Sequence, residues 1–549
     1  MRSTINPTAG RYGVKTIPRL GRLWSSNIQI KVIRDFLLAI AVACSLIQVA
    51  FFGSEEGNII STLLALISST AAIMYSLQPR LLEKYPISSM MILSFNFSSI
   101  SGALIFKTVE LSALVEYLMN PMTTFGALAV VQFTLILSHA AYRRLGFMRF
   151  IRNMLATRIL LPFKVFKIPS VRQCWLMGLI GLISIVASRL NMHGYGNQFS
   201  NSSILDKFLE GFNFLALTPF LIPFLGHIDK DSKVEKGSYL GVGVYFLILL
   251  ALGIMLNTRS LFFDGLATIG TVVFLFMGTG KIRVKFSTLA KTIIVLLVAV
   301  PVFSFLSDLS TAMVMVRGNR SDVSGVELFK ETLDALQDRD SLSAFEKMNN
   351  VLLTGEYNEN YLNGPLLKRL IITKYHDNMF HYIDDFPQDG SSKLRGDITE
   401  KVLAIFPSPF LDVFGIELDK KQLGFSSGDY IYYIAHGVGL GGHRVGSMVA
   451  EGFALAGFLF PIVLFMGAFF VYAIYDAFTI FKPGVIVFSP LILVNSWYLL
   501  GGSAGITFSA ESVSNLIGGL IRGVPQLVLL YFIVYKITGF FSLRRRRIN

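Results

Sequence analysis

The chain has 549 residues, of which 53% are hydrophobic and only 15% charged, with a mean hydropathy of +0.59 and a formal charge of +14. A soluble domain carries roughly a quarter of its residues as Asp, Glu, Lys and Arg, so the composition excludes a water-solvated globular protein and predicts an all-α, polytopic integral membrane protein. The two cysteines, Cys44 and Cys174, both fall in apolar runs, which excludes a disulfide framework and a metal–thiolate site.

Residues 1–34 form a polar, basic tail without the short basic–apolar–small pattern of a cleaved signal peptide, so the first apolar run is expected to remain as a span. A span needs about 17–25 mostly apolar residues. Runs of that kind fill 35–308, near 35–53, 58–77, 88–106, 122–142, 174–191, 208–228, 238–256, 260–279 and 289–308. The run at 208–228 is the weakest, because Pro219 and Pro223 lie inside it and proline kinks a membrane helix. Residues 309–446 are then a long loop, too long to be a structureless connector. Helices are expected over 324–353, where Leu333, Leu336, Leu342, Phe345 and Leu352 recur near helical spacing, and over 361–385, where Leu366, Leu370, Ile371, Met379 and Ile383 do the same. A tract rich in Pro, Gly and Ser follows at 407–446 and reads as ordered loop. Runs at 447–475, 485–504 and 515–540 bring the expected spans to twelve, and 541–549 is a basic tail.

Loop charge orients this arrangement. Lys and Arg accumulate on the cytoplasmic side, and every second loop is basic, above all 143–173 with Arg143, Arg144, Arg149, Arg152, Arg158, Lys164, Lys167 and Arg172. Both tails share that sign, the C-terminal one ending in Arg544 to Arg547. The intervening short loops carry almost no net positive charge. Both termini are therefore expected in the cytoplasm and the 309–446 loop outside. The positive excess is read as an orientation signal and an attraction to anionic lipid, with no nucleic acid as partner.

No metal-ligand cluster, phosphate-binding Gly loop, nucleophile elbow or Walker motif is present, so no cofactor is expected. Three features at the expected outer face carry candidate chemistry. The first is Asn257-Thr258-Arg259-Ser260 with Gly270 further along the same run. Arg259 reads either as a substrate contact or as an arginine snorkelling to headgroups. The second is Arg317-Gly318-Asn319-Arg320: guanidinium forks suit phosphate oxygens, and the other reading is a solvated turn paired with Asp322. The third runs from Gly441 through His443, Arg444 and Ser447 to Glu451 and Gly457. There His443 is a base near neutral pH and Glu451 a costly carboxylate at a membrane face, or else the stretch is a Gly-rich hinge with a surface His and a helix-start Glu. His376, His381 and His436 read as surface residues, and His139 and His227 as structural ones.

In its many spans, its one large external loop before the last few, and these local stretches, the chain resembles the Wzy-type O-antigen and polysaccharide repeat-unit polymerases, and more distantly the O-antigen ligases. The spacing from Arg259 to Gly270 fits an Arg-ten-residues-Gly pattern of the polymerases. The pattern is imperfect from Arg444, where the glycine is Gly457, and Arg444 stands where the ligases often carry Asn after their His. The resemblance implies a metal-independent glycosyltransferase of the inner membrane. It would move glycan from undecaprenyl diphosphate to the next lipid-linked unit in O-antigen, capsule or exopolysaccharide synthesis, with a chain-length regulator and a flippase as pathway partners. Arg259, Arg317, Arg320 and Arg444 would bind the diphosphate, and His443 or Glu451 would act as base. The alternatives are an O-antigen ligase and a non-enzymatic flippase or transporter of lipid-linked glycans. The last should show two similar halves with paired broken helices, and no such duplication is legible.

Overall fold

The computed structural model of the protein describes residues 20–190, 208–229, 232, 234–282, 302, 304–321, 323–351, 357–418, 422–482, 485–499 and 507–543. Among these residues, ten helices are long and apolar enough to cross a membrane: Ile28–Phe52, Asn58–Ser76, Pro86–Val109, Pro121–Arg144, Val171–Ser188, Phe208–Ile228, Lys236–Met255, Ser260–Gly278, Met448–Asp476 and Val513–Phe541. Shorter helices and a single two-stranded hairpin are the other regular elements described, and the molecule is an all-α polytopic membrane protein. Each of the ten coincides with an expected span. Of the remaining two, 289–308 lies mostly outside the described residues. The other, 485–504, differs from expectation as far as it is described. It begins as strand Val485–Phe488 (β2), paired antiparallel with Thr479–Lys482 (β1), and continues as two short helices, Pro490–Val494 and Ser496–Leu499. The cause is local. Val485-Ile486-Val487-Phe488 is β-branched and aromatic, Pro490 cannot extend a helix backwards through Ser489, and the first short helix ends at Asn495.

The span with two prolines survives by changing its winding. Asn213–Phe224 is a 3₁₀ helix that contains Pro219 and Pro223, tighter than an α-helix and with fewer partners for its carbonyls. Tyr245 compensates, its hydroxyl donating to Ala216 O at 2.7 Å. The helix Val171–Ser188 packs directly on this backbone at Gly181, where a Cβ would sit 2.1 Å from Ala216 N, so only glycine admits the approach.

Two polar ties define the two ends of the bundle. At one end, Asp476 closes the helix Met448–Asp476, fully buried. Ser88 Oγ donates to Asp476 Oδ2 at 2.7 Å and lies 2.8 Å from His139 Nε2, whose Nδ1 is 2.9 Å from the Tyr75 hydroxyl. Arg152 Nε donates to the Asp476 carbonyl at 3.2 Å, which fixes the basic 143–173 segment at this end. Since a buried charge needs a partner in the membrane, this network accounts for the structural reading of His139.

At the other end the large loop docks. The expected helix at 324–353 is two helices, Gly325–Gln337 and Arg339–Val351, and that at 361–385 is Pro365–Leu370 followed by Thr373–Asp384. Gly390–Leu403 and Ser427–His436 are additional helices, the latter capped by Ser426 and closed by Gly437 at φ 75°. The helix Thr373–Asp384 is held through Asp377, which accepts from Met119 N and Asn120 N, each at 2.8 Å, and pairs with Lys374 at 2.9 Å. Its first residues grip a π-turn, Phe97–Ser101, where Ile372 N donates to Ser98 O at 2.8 Å. A π-turn opens the helical ladder and frees carbonyls for such contacts.

Candidate functional site

The docked loop brings charged side chains from distant parts of the sequence to one place. Arg259 sits just before the helix Ser260–Gly278, after Asn257 has turned the chain with φ 46°. Asn257 Nδ2 donates to Met313 O at 2.8 Å, and Arg259 Nη1 donates to Ser310 Oγ at 3.3 Å. These bonds tie the arginine to the helical residues 304–315, and Arg317 follows on the 3₁₀ turn Val316–Ser321. Arg259 lies within electrostatic reach of Arg317, Arg369, Tyr375 and Glu359. Burial first, and then the fields of Arg317 and Arg369, lower its pKa to about 10, so it stays charged at neutral pH.

The irregular stretch 357–364 and the helix Pro365–Leu370 supply the facing groups. Glu359 accepts from the Tyr357 hydroxyl at 3.1 Å and the Tyr375 hydroxyl at 3.4 Å, and it lies 3.8 Å from Arg369. The guanidinium of Arg369 is 5.9 Å from the Tyr375 ring centre. Glu511 completes the group from the other side of the sequence, within electrostatic reach of Arg369, Glu359 and Asp429. Burial raises its pKa to about 7, against a weaker opposing pull from Arg369. The segments meet so closely that two glycines are required. A Cβ at Gly446 would lie 2.5 Å from Glu511 O, and one at Gly428 would lie 2.5 Å from Arg444 O.

Arg259 and Arg317 thus lie within electrostatic reach of each other. The side chain of Arg320 lies outside the described residues. Arg444 borders the cluster, 5.7 Å from the Tyr357 ring centre, but its guanidinium is engaged elsewhere. It lies 3.8 Å over the Tyr432 ring and bonds Gly439 O at 2.6 Å and Asp429 Oδ1 at 3.3 Å. His443 sits on the Gly-rich turn at φ 55°, its backbone N–H donating to Asp429 Oδ2 at 3.0 Å. Glu451 is fully buried: Ser427 Oγ donates to its Oε1 at 2.7 Å, and Val513 N–H donates to its Oε2. That bridging position joins three segments. Sequence reasoning overlooked Glu359, Arg369 and Glu511. A signal existed for Glu511, which is the sole acidic residue between Asp476 and the C-terminus, since a lone carboxylate in an apolar region is a functional marker.

His376, expected at the surface, is 1% exposed beside this cluster. Its Nδ1 is 2.7 Å from Ser447 Oγ and its Nε2 3.2 Å from Ser99 Oγ, so it pins the loop helix to two membrane helices. Burial lowers its pKa to about 3. A histidine depressed below its unfolded pKa of about 6.5 contributes stability that is complete above that value and is lost as pH falls towards 3. The slope approaches about 1.4 kcal/mol per pH unit. The melting temperature of the purified protein should fall between pH 7 and pH 5 by more than that of His376→Gln. Parallel curves would remove this assignment.

No protein-family model matches the chain, and no curated protein and no solved structure matches it.

Proposed function

We propose that this protein polymerises lipid-linked oligosaccharide repeat units at the outer face of the cytoplasmic membrane, as a metal-independent glycosyltransferase. The observation that carries the reading is the chain of neighbouring charges Arg317, Arg259, Arg369, Glu359 and Glu511, each within electrostatic reach of the next, at the end of the bundle covered by the large loop. One of those carboxylates titrates near neutrality, so the group keeps an excess of positive charge. Such an excess suits an anionic diphosphate, the leaving group when glycan departs from undecaprenyl diphosphate.

In the reaction, the bond between the donor's anomeric carbon and the diphosphate oxygen breaks, and the diphosphate leaves with the electron pair. The arginines neutralise the charge that grows on it. An acceptor hydroxyl of the next lipid-linked unit forms the new glycosidic bond and gives its proton to a base. Glu511 suits that role, because its pKa matches the working pH and it lies within electrostatic reach of Arg369. The loop helices exclude water that would hydrolyse the donor.

The test is an electrophoretic profile of glycans from cells with and without the gene. Loss of a polymerase leaves single repeat units attached to their final acceptor. A profile with no attached glycan at all points instead to a ligase or a flippase, which are told apart by whether the unpolymerised lipid-linked units stay on the outer or the inner leaflet.

A further inference from the structure

A second cationic site lies at the opposite end of the bundle, where the basic 143–173 segment meets the last helix. Lys164, beside Phe163, and Lys536, one turn from Phe532, are brought together by the contact of those two rings, each within reach of the other's charge, and Lys167 is within electrostatic reach of Lys164. The approach is held on both sides. The Phe163 and Phe532 rings pack edge to face with centres 5.3 Å apart, and Gln173 Nε2 donates to Tyr535 O at 3.3 Å. Lys164 itself takes up φ 56°, a conformation that side-chain-bearing residues rarely adopt. Like charges repel, and neither of the two segments supplies a counter-charge of its own. No acidic residue occurs between Arg143 and Arg172 or after Glu511. Among the described residues, none of the three lysines forms an ion pair.

The surroundings define what neutralises them. Ile533, Lys536, Ile537 and Phe540 share one face of their helix, and Ile533, Ile537 and Phe540 are 40%, 49% and 64% exposed. Leu161, 45% exposed, stands on the lysine segment itself. An apolar stripe that ends in clustered ammonium groups matches one ligand in both parts, acyl chain along the stripe and phosphate at its end. We propose that Lys164, Lys167 and Lys536, with the Ile533–Ile537–Phe540 face, form a binding site for the phosphodiester headgroup of an anionic membrane phospholipid. A free phosphate would satisfy the lysines alone and leave the stripe unused. The site is independent of the glycan chemistry proposed above and holds whether or not that reading stands.

The experiment uses the full-length protein, delipidated in a neutral detergent, with thermal unfolding followed on addition of phosphatidylglycerol, phosphatidylcholine or inorganic phosphate. Wild type should gain several degrees from phosphatidylglycerol over phosphatidylcholine, and inorganic phosphate should give no such gain. In Lys164→Gln/Lys536→Gln the phosphatidylglycerol preference should weaken roughly tenfold or more, at about 1 kcal/mol for each lysine near the surface. The same variant in phosphatidylcholine should melt at or above the wild-type temperature, because the repulsion is gone. Lys164→Arg/Lys536→Arg should retain the preference. Native mass spectrometry of the wild type gives a readout that depends on no variant, and phosphatidylglycerol should be retained in preference to phosphatidylcholine. Equal response to the two lipids, an unchanged preference in the glutamine variant, or full reproduction of the effect by inorganic phosphate would each overturn the proposal.

Discussion

Arg259→Gln is expected to lower glycan polymerisation by about 10²–10³-fold, the usual loss when one electrostatic contact to a developing charge is removed, without lowering the melting temperature. The two halves of that expectation come from the same geometry. Arg259 is largely buried, is hydrogen-bonded to a neutral serine, and faces two other guanidinium groups. No carboxylate lies within ion-pair distance of it among the described residues. A charge held in that way opposes folding, so a neutral glutamine relieves repulsion. A purely structural arginine behaves in the opposite manner, since its loss costs stability and leaves the chemistry of the surviving folded fraction intact. Arg259→Lys should recover part of the activity, because it restores charge but not the bidentate fork. Measurement on purified protein with lipid-linked repeat units, alongside thermal unfolding, separates the cases. A variant that melts early yet retains its rate per folded molecule would remove Arg259 from the site.

The spans were legible because a membrane helix announces itself by length and hydropathy alone, and all ten described ones lie where those two properties put them. The failure at 485–504 has the same origin. Hydropathy weighs Val485-Ile486-Val487-Phe488 as a span, whereas backbone geometry makes it a strand, and Pro490 then resets the chain. The site was legible in part. Arg259 stands out as a cation at an expected outer face, where the loop-charge rule disfavours it, and Arg317 through the Arg317-Gly318-Asn319-Arg320 pattern. Glu359 and Arg369 do not stand out, because in sequence they are ordinary charges on an ordinary polar loop. Their place beside Arg259 depends on the loop folding back on the bundle, through bonds such as Ile372 to Ser98 and Asp377 to Met119 that join residues more than 250 positions apart. His376 was misjudged for the same reason: helical periodicity gives its face but not what that face meets.

The pH dependence of transfer gives the sharpest test of Glu511. With its pKa raised to about 7 by burial, a basic role requires the ionised form, so the rate should rise with pH, reach half its maximum near pH 7 and level off above it. Glu511→Gln should lower the plateau by about 10²–10⁴-fold, the range for loss of a positioned base, and flatten the profile. Stability should move in the opposite direction. A carboxyl whose folded pKa exceeds its unfolded value of about 4.3 contributes stability that is complete below the unfolded value and is lost as pH rises through about 7. The glutamine variant should therefore melt higher than wild type at pH 8 and no higher at pH 4. Arg369 adds a second handle, because its positive field holds the Glu511 pKa down against burial. In Arg369→Gln the midpoint of the rate profile should shift to higher pH, with a residual plateau. A base elsewhere, His443 included, has no reason to follow the charge at 369. A midpoint unmoved in that variant would transfer the role away from Glu511 and leave the arginine cluster as the part of the site still standing.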